Sequence, residues 1–575
     1  MLSKSSKLTL LDRLLSLTEQ GPTSDRLLLR LWLVLTVLAG LVFLYQMNAR
    51  WLEEVPTRGG TITEGIVGIP RFVNPALAIA RADQDIVALV YSGLLKIDAT
   101  GQLVPDLAES IVLSEDGRTY NISVKRDRLF HDGTPVTARD AAFTFELIRN
   151  PDLKSPLRGN WVDVTIELVD EYNLTISLPE AYTPFIENFT VGIMPRHIWG
   201  NLPVEQLSFS QYNTEPIGAG PFLISRVERD TSGLVSSYIL KPDPQNFVTN
   251  LAQINLRFFQ NEDALISAFA NNQINSTAYL PSHVTKNLNT GEYHVISRPL
   301  PRVFGIFFNQ NRSPALRDQA ARKALSVALD RNHLIAELLD GYGVPTFTPI
   351  IEEQRGLESN GLDADDLAHA TETPEQILIA GGWRQTEAGL WEKRIGSATE
   401  TLSLTLRTGN SALLEKTANA IANTWRSLGV EVQVEQYEQA GLVQSVIRSR
   451  DFQALLFGID MNRTQDLYPF WHSSQKDDPG LNVAQYTNVS VDQLLERARI
   501  IAKPDEQWKL TQEISSKINA ENPAIFLFAP AFTYVVHNTL TVDLVAALGK
   551  PSDRFMNVTD WYARSENVWP IFTKD

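Results

Sequence analysis

Apolar and polar positions alternate along much of this chain, and turn chemistry breaks the alternation at short intervals. From Val90 to Phe145 (VYSGLLKIDATGQLVPDLAESIVLSEDGRTYNISVKRDRLFHDGTPVTARDAAFTF) the apolar positions suit half-buried strands. Asp98 to Gly101 and Glu115 to Gly117 are turns in which glycine supplies positive φ, and His131-Asp132-Gly133-Thr134-Pro135 makes a third. Thr137 then caps a helix, with Asp140 as its capping-box partner and Ala141, Phe143, Leu147 and Ile148 as its apolar surface. The predicted order is strand, hairpin, strand, helix.

Further along, the period switches repeatedly. Leu402 to Leu406 reads as a strand, Ser411 to Leu428 has helical spacing, Val430 to Val434 alternates again, and Ala454 to Phe457 is an apolar strand. Such α/β alternation predicts parallel strands joined by right-handed crossovers. Two helix starts are predicted from local signals: Ser313 before Pro314, and Ser490 with Gln493 as a capping box. The acidic, Gly-bearing stretch Glu352 to Glu375 reads as an exposed excursion, and no internal repeat or low-complexity tract is visible.

One segment departs from both periods. Leu27 to Met47 (LLLRLWLVLTVLAGLVFLYQM) is apolar throughout except Arg30, and as a helix it spans about 30 Å, the thickness of a bilayer core. Arg30 lies near one end and can snorkel, while Trp32 and Tyr45 sit near opposite ends, as interfacial aromatics do. A buried core helix and a cleaved signal peptide fit the same apolarity. No small-x-small cleavage site precedes Trp51, which favours a retained anchor. Lys4, Lys7, Arg13, Arg26 and Arg30 precede the apolar run and only Arg50 and Arg58 follow it, so the N-terminus is expected in the cytoplasm and the large domain outside. Asn48 to Gly59 would be a short tether.

The Val90 to Phe145 stretch resembles the signature region of the bacterial extracellular solute-binding proteins of family 5, the peptide, dipeptide and nickel receptors of ABC importers. Two departures stand out: Ile111 where the family usually has Trp, and Ser92 where it often has Glu. PIGAGPF, from Pro216 to Phe222, is similar to the family's crossover block. So is FGIFFNQNRSPALRDQAARKALSVALDRNHLIAELLDGYGVPTFTPI, from Phe304 to Ile350, to a later one. Leu404 to Gln436, Leu455 to Ser474 and Asn482 to Phe528 follow in the family's order, so the resemblance spans about Gly60 to Phe528.

The resemblance implies an α/β, two-lobed periplasmic-binding-protein-like fold of type II with an extra accessory domain, preceded here by one N-terminal transmembrane helix. Carried over, residues 59–96, 215–298 and 536–575 form lobe I, 97–214 the accessory domain and 299–535 lobe II. Residues 1–26 precede the anchor at 27–47, and 48–58 tether it. The implied function is a membrane-tethered, monomeric receptor that captures oligopeptides or a related small solute and delivers them to ABC permease subunits. A ligand-sensing protein with the same fold is the alternative, and a cell-surface hydrolase a more distant one.

Composition narrows these classes. With 51 basic and 67 acidic side chains the net charge is -16, and no basic run offsets it, which disfavours nucleic acid as a partner. Cysteine is absent, so disulfides, thiolate metal sites and the lipidated cysteine that anchors many relatives are excluded. The eight histidines form no HExxH pattern, and neither a G-x-S-x-G elbow nor a P-loop occurs, so no enzyme chemistry, cofactor or metal is expected. His131 in the HDGTP turn is expected to make a structural hydrogen bond.

Candidate ligand residues come mostly from Leu455 to Ser474, the block that faces ligand in the family. Peptide receptors of the family typically carry there a Trp after Gly and a carboxylate that anchors the peptide ammonium. Here Ile459 replaces the Trp, and the ammonium-binding position falls near Arg463. Asp460 or Asp466 remains able to supply the anion, or caps a polar loop. Tyr468 and Trp471 either stack on ligand or pack beneath the loop. Tyr91 and Asn309 lie in family motifs near the lobe interface, though Tyr91 also suits a core and Asn309 a strand end. Gly218 and Gly220 are expected to permit a crossover rather than touch ligand.

Overall fold

The computed structural model describes residues 22–352 and 372–569. The basic residues Lys4, Lys7 and Arg13 and most of the acidic excursion after Glu352 lie outside the described residues. Two compact units are present, divided between Thr57 and Arg58 and between Ala563 and Arg564. In the smaller unit, helix α1 (Thr23–Trp51) contains the stretch Arg30–Asn48, which is long and apolar enough to cross a membrane and is not buried against protein. Strand β1 (Glu53–Pro56) pairs antiparallel with the C-terminal strand Ser565–Val568.

The larger unit begins with β2 (Thr61–Val67) and α2 (Arg81–Val90). A four-stranded antiparallel sheet follows: β3 (Ala108–Leu113), β4 (Thr119–Val124), β5 (Thr165–Leu168) and β6 (Asn173–Ser177), in spatial order β3-β4-β6-β5. Helix α3 (Ala138–Arg149) packs on it, and the predicted cap is present, with Thr137 N donating to Asp140 Oδ2 at 2.9 Å. Gly101, Gly117 and Gly133 all adopt positive φ, as the three turns require.

The chain then forms β7 (Phe222–Arg229), β8 (Val235–Pro242), β9 (Gln253–Phe259), α4 (Glu262–Ala270), β10 (Ser276–Thr277) and β11 (Tyr293–Pro299). A short crossing leads to β12 (Arg302–Phe308), α5 (Gln319–Val327), β13 (Gly343–Pro345), β14 (Ser403–Gly409), α6 (Ala412–Ser427), β15 (Glu431–Tyr437) and β16 (Ala454–Asp460). Helices α7 (Val489–Ala498) and α8 (Pro504–Glu521) precede the 14-residue strand β17 (Ala524–His537). β14 pairs parallel with both β15 and β16, as the alternating period predicts.

Two helix starts differ from the sequence expectation. Pro314 leads only a 3-10 turn; α5 begins later, capped by Asp318, whose Oδ1 accepts from Ala321 N at 3.2 Å. α7 is capped not by Ser490 but by Asn488, whose Oδ1 accepts from Ser490 N and Val491 N. In both cases a side chain of about equal capping preference stands within a few residues of the predicted one, and packing selects between them.

A single twelve-stranded sheet, with main path β15-β14-β16-β12-β17-β10-β2-β9-β8-β7, runs through this unit. Its cores nevertheless separate. Ile306, Phe308, Leu456 and Ile525 pack in one cluster while Val303, Phe307, Leu455 and Phe526 pack in another, the two faces that period-2 side chains create. A third cluster joins Ile62 and Ile66 of β2 to Tyr120 of the small sheet, Phe145 of α3 and Trp161, and to Tyr534, Leu548 and Trp561. Residues 97–214 therefore share a core with β2 and α2. β17 belongs to both halves: up to Pro530 it pairs with β12 and β13, and from Ala531 onward with β11 and β10.

Candidate functional site

The first half of α2 is fixed from two sides. Asp83, in its first turn, accepts from Arg71 N at 2.8 Å and Phe72 N at 3.1 Å, tying down the preceding loop. On the next face, Asp85 meets the fully buried Arg554, with Nη1 to Oδ1 at 2.6 Å and Nη2 to Oδ2 at 2.8 Å. Arg554 Nη2 also reaches Glu64 Oε1 at 3.0 Å, and Tyr534 donates to Glu64 Oε2 at 2.8 Å. Burial raises the pKa of Glu64, with Arg554 pulling the other way.

At the C-terminal end of α2, two glycines leave room for Tyr91. A Cβ on Gly192 would lie 2.5 Å from the Tyr91 Cβ, and one on Gly218 would lie 2.1 Å from Val90 O. The PIGAGPF block is thus built for close backbone approach. His131 holds the same block: its amide donates to Gly218 O at 2.8 Å and its Nε2 lies 2.9 Å from Gly220 O. Burial lowers the His131 pKa, which keeps the ring neutral, and its expected structural role is the one seen.

Beside α2 lies a cavity of about 220 Å³. Val87, Ala88 and Tyr91 form one wall, Leu157 and Thr190 to Gly192 another, and Phe247, Phe555 and Met556 close it. Lys96, Asp106 and Lys550 also line it. The Tyr91 hydroxyl is enclosed without a hydrogen-bond partner, and burial pushes its pKa up. None of the lining residues comes from residues 299–535.

A second constellation joins the shared core to the other half of the sheet. The Arg499 guanidinium lies between two rings, 4.3 Å from the centre of Tyr182 and 4.2 Å from that of Tyr468. Its Nε is 3.3 Å from Asp466 Oδ2, which also accepts from the Tyr182 hydroxyl at 3.2 Å. Thr183 N donates to Arg499 O at 2.8 Å. Nearby, Thr464 N donates to Glu187 Oε1 at 3.0 Å, and Arg463 pairs with Asp553. Burial raises the pKa of Asp466 and of Glu187, while Arg499 and Arg463 respectively oppose the rise.

The six residues singled out from the sequence are not gathered in one place. Tyr91 lines the cavity. Asp460 is largely exposed at the end of β16 and pairs with Arg302. Asp466 is a correction: its largely enclosed carboxylate is ion-paired with Arg499 and accepts from the Tyr182 hydroxyl and Tyr468 N, so its charge is already met inside the protein. Tyr468 stacks on His472 and Arg499 rather than standing free. Trp471 is fully buried against Phe307, Tyr486 and Phe526, so it is a core residue and not a stacking platform. Asn309 is 1% exposed and spends its side chain on Arg450 O and Asn311 N, the work of a strand end. Sequence reasoning missed Tyr182, Arg499, Lys96 and Lys550. Tyr182 and Asp466 are 284 residues apart, so no local spacing signals their meeting.

The family model for bacterial extracellular solute-binding proteins, family 5 (middle region), matches residues 102–480. The chain belongs to this family. The oligopeptide-binding protein AppA of Bacillus subtilis is 27% identical over 526 residues, covering 88% of this chain and 92% of AppA. The solved structure of Bacillus subtilis AppA in complex with a nonapeptide has a TM-score of 0.62 at 24% identity, covering 88% of this chain and 99% of that one. The ABC transporter substrate-binding protein CtaP of Listeria monocytogenes gives 0.69 at 24% identity, with coverage of 88% and 99%. The fold is therefore the two-lobed, mixed α/β fold of family 5 proteins, which are of a substrate-binding and extracytoplasmic type.

Proposed function

We propose that this chain is the substrate-binding component of an ABC importer, that it captures oligopeptides without covalent chemistry, and that it presents them to a permease. The observation that carries this reading is the 27% identity to an oligopeptide-binding protein across nearly the whole of both chains. The fold supports a mechanism by closure. Two bodies with separate cores meet along β17 and the β11–β12 crossing, so a small rotation at Pro299 to Arg302 and at Pro530 opens or shuts the space between them. In this reading lobe II runs from about Pro299 to Pro530, and the accessory segment moves with lobe I because the two share a core. Ligand shifts the population only through better contacts in the closed state.

In the same reading α1 is a retained anchor, with the binding domain outside the cell and Tyr91 at the lobe I end of the ligand space. Purification of the full chain in detergent, followed by mass spectrometry of co-purifying small molecules and N-terminal sequencing, tests both parts. Bound peptides and an uncleaved N-terminus are expected. A ligand consumed on incubation would instead mark a hydrolase, and a mature N-terminus after Ala49 would discard the anchor.

A further inference from the structure

The cavity beside α2 carries a charge opposite to that of the protein as a whole. The chain has a net charge of -16, yet two lysines, Lys96 and Lys550, line this space and neither forms an ion pair among the described residues. The carboxylates near them are already committed. Asp106 is paired with Arg128 at 3.2 Å, and Arg128 in turn lies 4.4 Å over the ring of Phe247, another lining residue. Asp553, beside Lys550 in sequence, is taken by Arg463 and by the backbone amides of Gly549 and Lys550. The positive charge in the cavity is therefore left without an internal counter-ion.

A second observation points the same way. Tyr91 is 5% exposed, lines the cavity, and its hydroxyl has no partner. An unpaired buried hydroxyl costs about 1–3 kcal/mol, and a group that reaches it in another state would recover that cost. The remaining walls, Val87, Ala88, Leu157, Phe555 and Met556, are apolar. At about 220 Å³ the space is smaller than the roughly 300–1,000 Å³ of sites that enclose a whole drug-sized ligand, so it suits one end of a longer molecule.

We propose that this cavity is a terminal subsite that receives a ligand carboxylate through Lys96 and Lys550, with the Tyr91 hydroxyl as a further donor and the adjoining apolar side chain packed against Val87, Leu157 and Phe555. The inference rests on the peptide-capture reading and adds to it which end of the ligand is recognised and by what. The carboxylate is either the peptide C-terminus or an acidic side chain, and the two sources are separable.

The full chain in detergent is incubated with three pools of random pentapeptides: free acids, C-terminal amides lacking Asp and Glu, and C-terminal amides containing Glu. Retained peptides are identified by mass spectrometry after gel filtration. Retention of the free acids at least about tenfold above the acid-free amides, with apolar residues enriched beside the carboxylate, is expected. Recovery of retention by the Glu-containing amides identifies the side-chain carboxylate as the source, and its absence identifies the terminus. The double variant Lys96→Met, Lys550→Met should lose the preference while melting as the parent does, since both lysines have exposed or half-exposed side chains. The double Lys→Arg variant should keep it. Equal retention of all three pools overturns the carboxylate subsite and leaves peptide capture standing. Retention of none overturns both.

Discussion

Two arginines in this protein make nearly the same set of contacts and do different work. Arg554 and Arg499 each pair with a carboxylate and lie against two aromatic rings, and in each network a tyrosine hydroxyl donates to a carboxylate. Arg554 is fully buried within one core, along with Glu64 and Asp85. Arg499 is 29% exposed, and its two aromatic partners, Tyr182 and Tyr468, pack against different cores. Burial inside a single core makes the first a permanent staple between α2, β2 and the C-terminal segment. Partial exposure between two bodies makes the second a clasp that water can reach and replace. The chemistry is shared; the dielectric surroundings decide which contact can open.

The sharpest way to break this comparison is to remove the buried cation. Arg554→Met strands two carboxylates in a core and should destabilise the fold by about 3–5 kcal/mol, read by denaturant unfolding. Replacing Arg554, Glu64 and Asp85 together with apolar residues should recover most of that loss, because no uncompensated charge remains. A single variant as stable as the parent would show that water reaches this centre.

Arg499→Ala should cost less, about 1–2 kcal/mol from the ion pair and the two ring contacts together, since the guanidinium is partly solvated and Asp466 keeps its bonds to Tyr182 and Tyr468 N. Its distinguishing effect is on shape. Small-angle scattering of the ligand-free protein should report a larger radius of gyration for this variant, whereas Arg554→Met should leave the radius of the folded fraction unchanged.

His131 supplies a smaller, pH-dependent contrast. Burial lowers its pKa in the folded state, whereas an unfolded histidine titrates near about 6.5. As pH falls below that value the unfolded chain takes up a proton that the fold refuses, so stability is lost with acidification. His131→Gln should remove this component, and melting temperatures measured at pH 7.5, 6.5 and 5.5 should fall less steeply than those of the parent. Asp460→Asn should have the smallest effect, about 0.5 kcal/mol or less, because its pair with Arg302 is exposed on both sides.

What was legible in the sequence follows from the range of the forces involved. The turns at Gly101, Gly117 and Gly133, the Thr137 cap and the β14 to β16 run depend on neighbours a few residues away, and each reads directly from the chain. The caps of α5 and α7 were misplaced by a few residues because several polar side chains compete there and only packing selects between them. The candidate site was far less legible. Asp466 and Trp471 carry the residue types that ligand sites favour, yet the same types serve a buried ion pair and a core. Asn309 lies in a family motif, but its side chain closes a strand end. The Arg499 clasp and the Lys96 and Lys550 cavity are assembled from segments hundreds of residues apart, and no periodicity encodes such meetings.

The shared strand β17 has a consequence for the order of synthesis. Every strand it joins, from β10 to β13, is made before it, so a growing chain holds both halves of the sheet with an open edge until residues 524–537 emerge. Neither half can finish folding on its own timetable. Nascent chains halted before Ala524 should therefore stay sensitive to protease throughout, while chains long enough to expose residues up to Trp561, which bring Arg554 to Glu64 and Asp85, should become resistant in both halves. Such a late keystone withholds the native state until synthesis is nearly done.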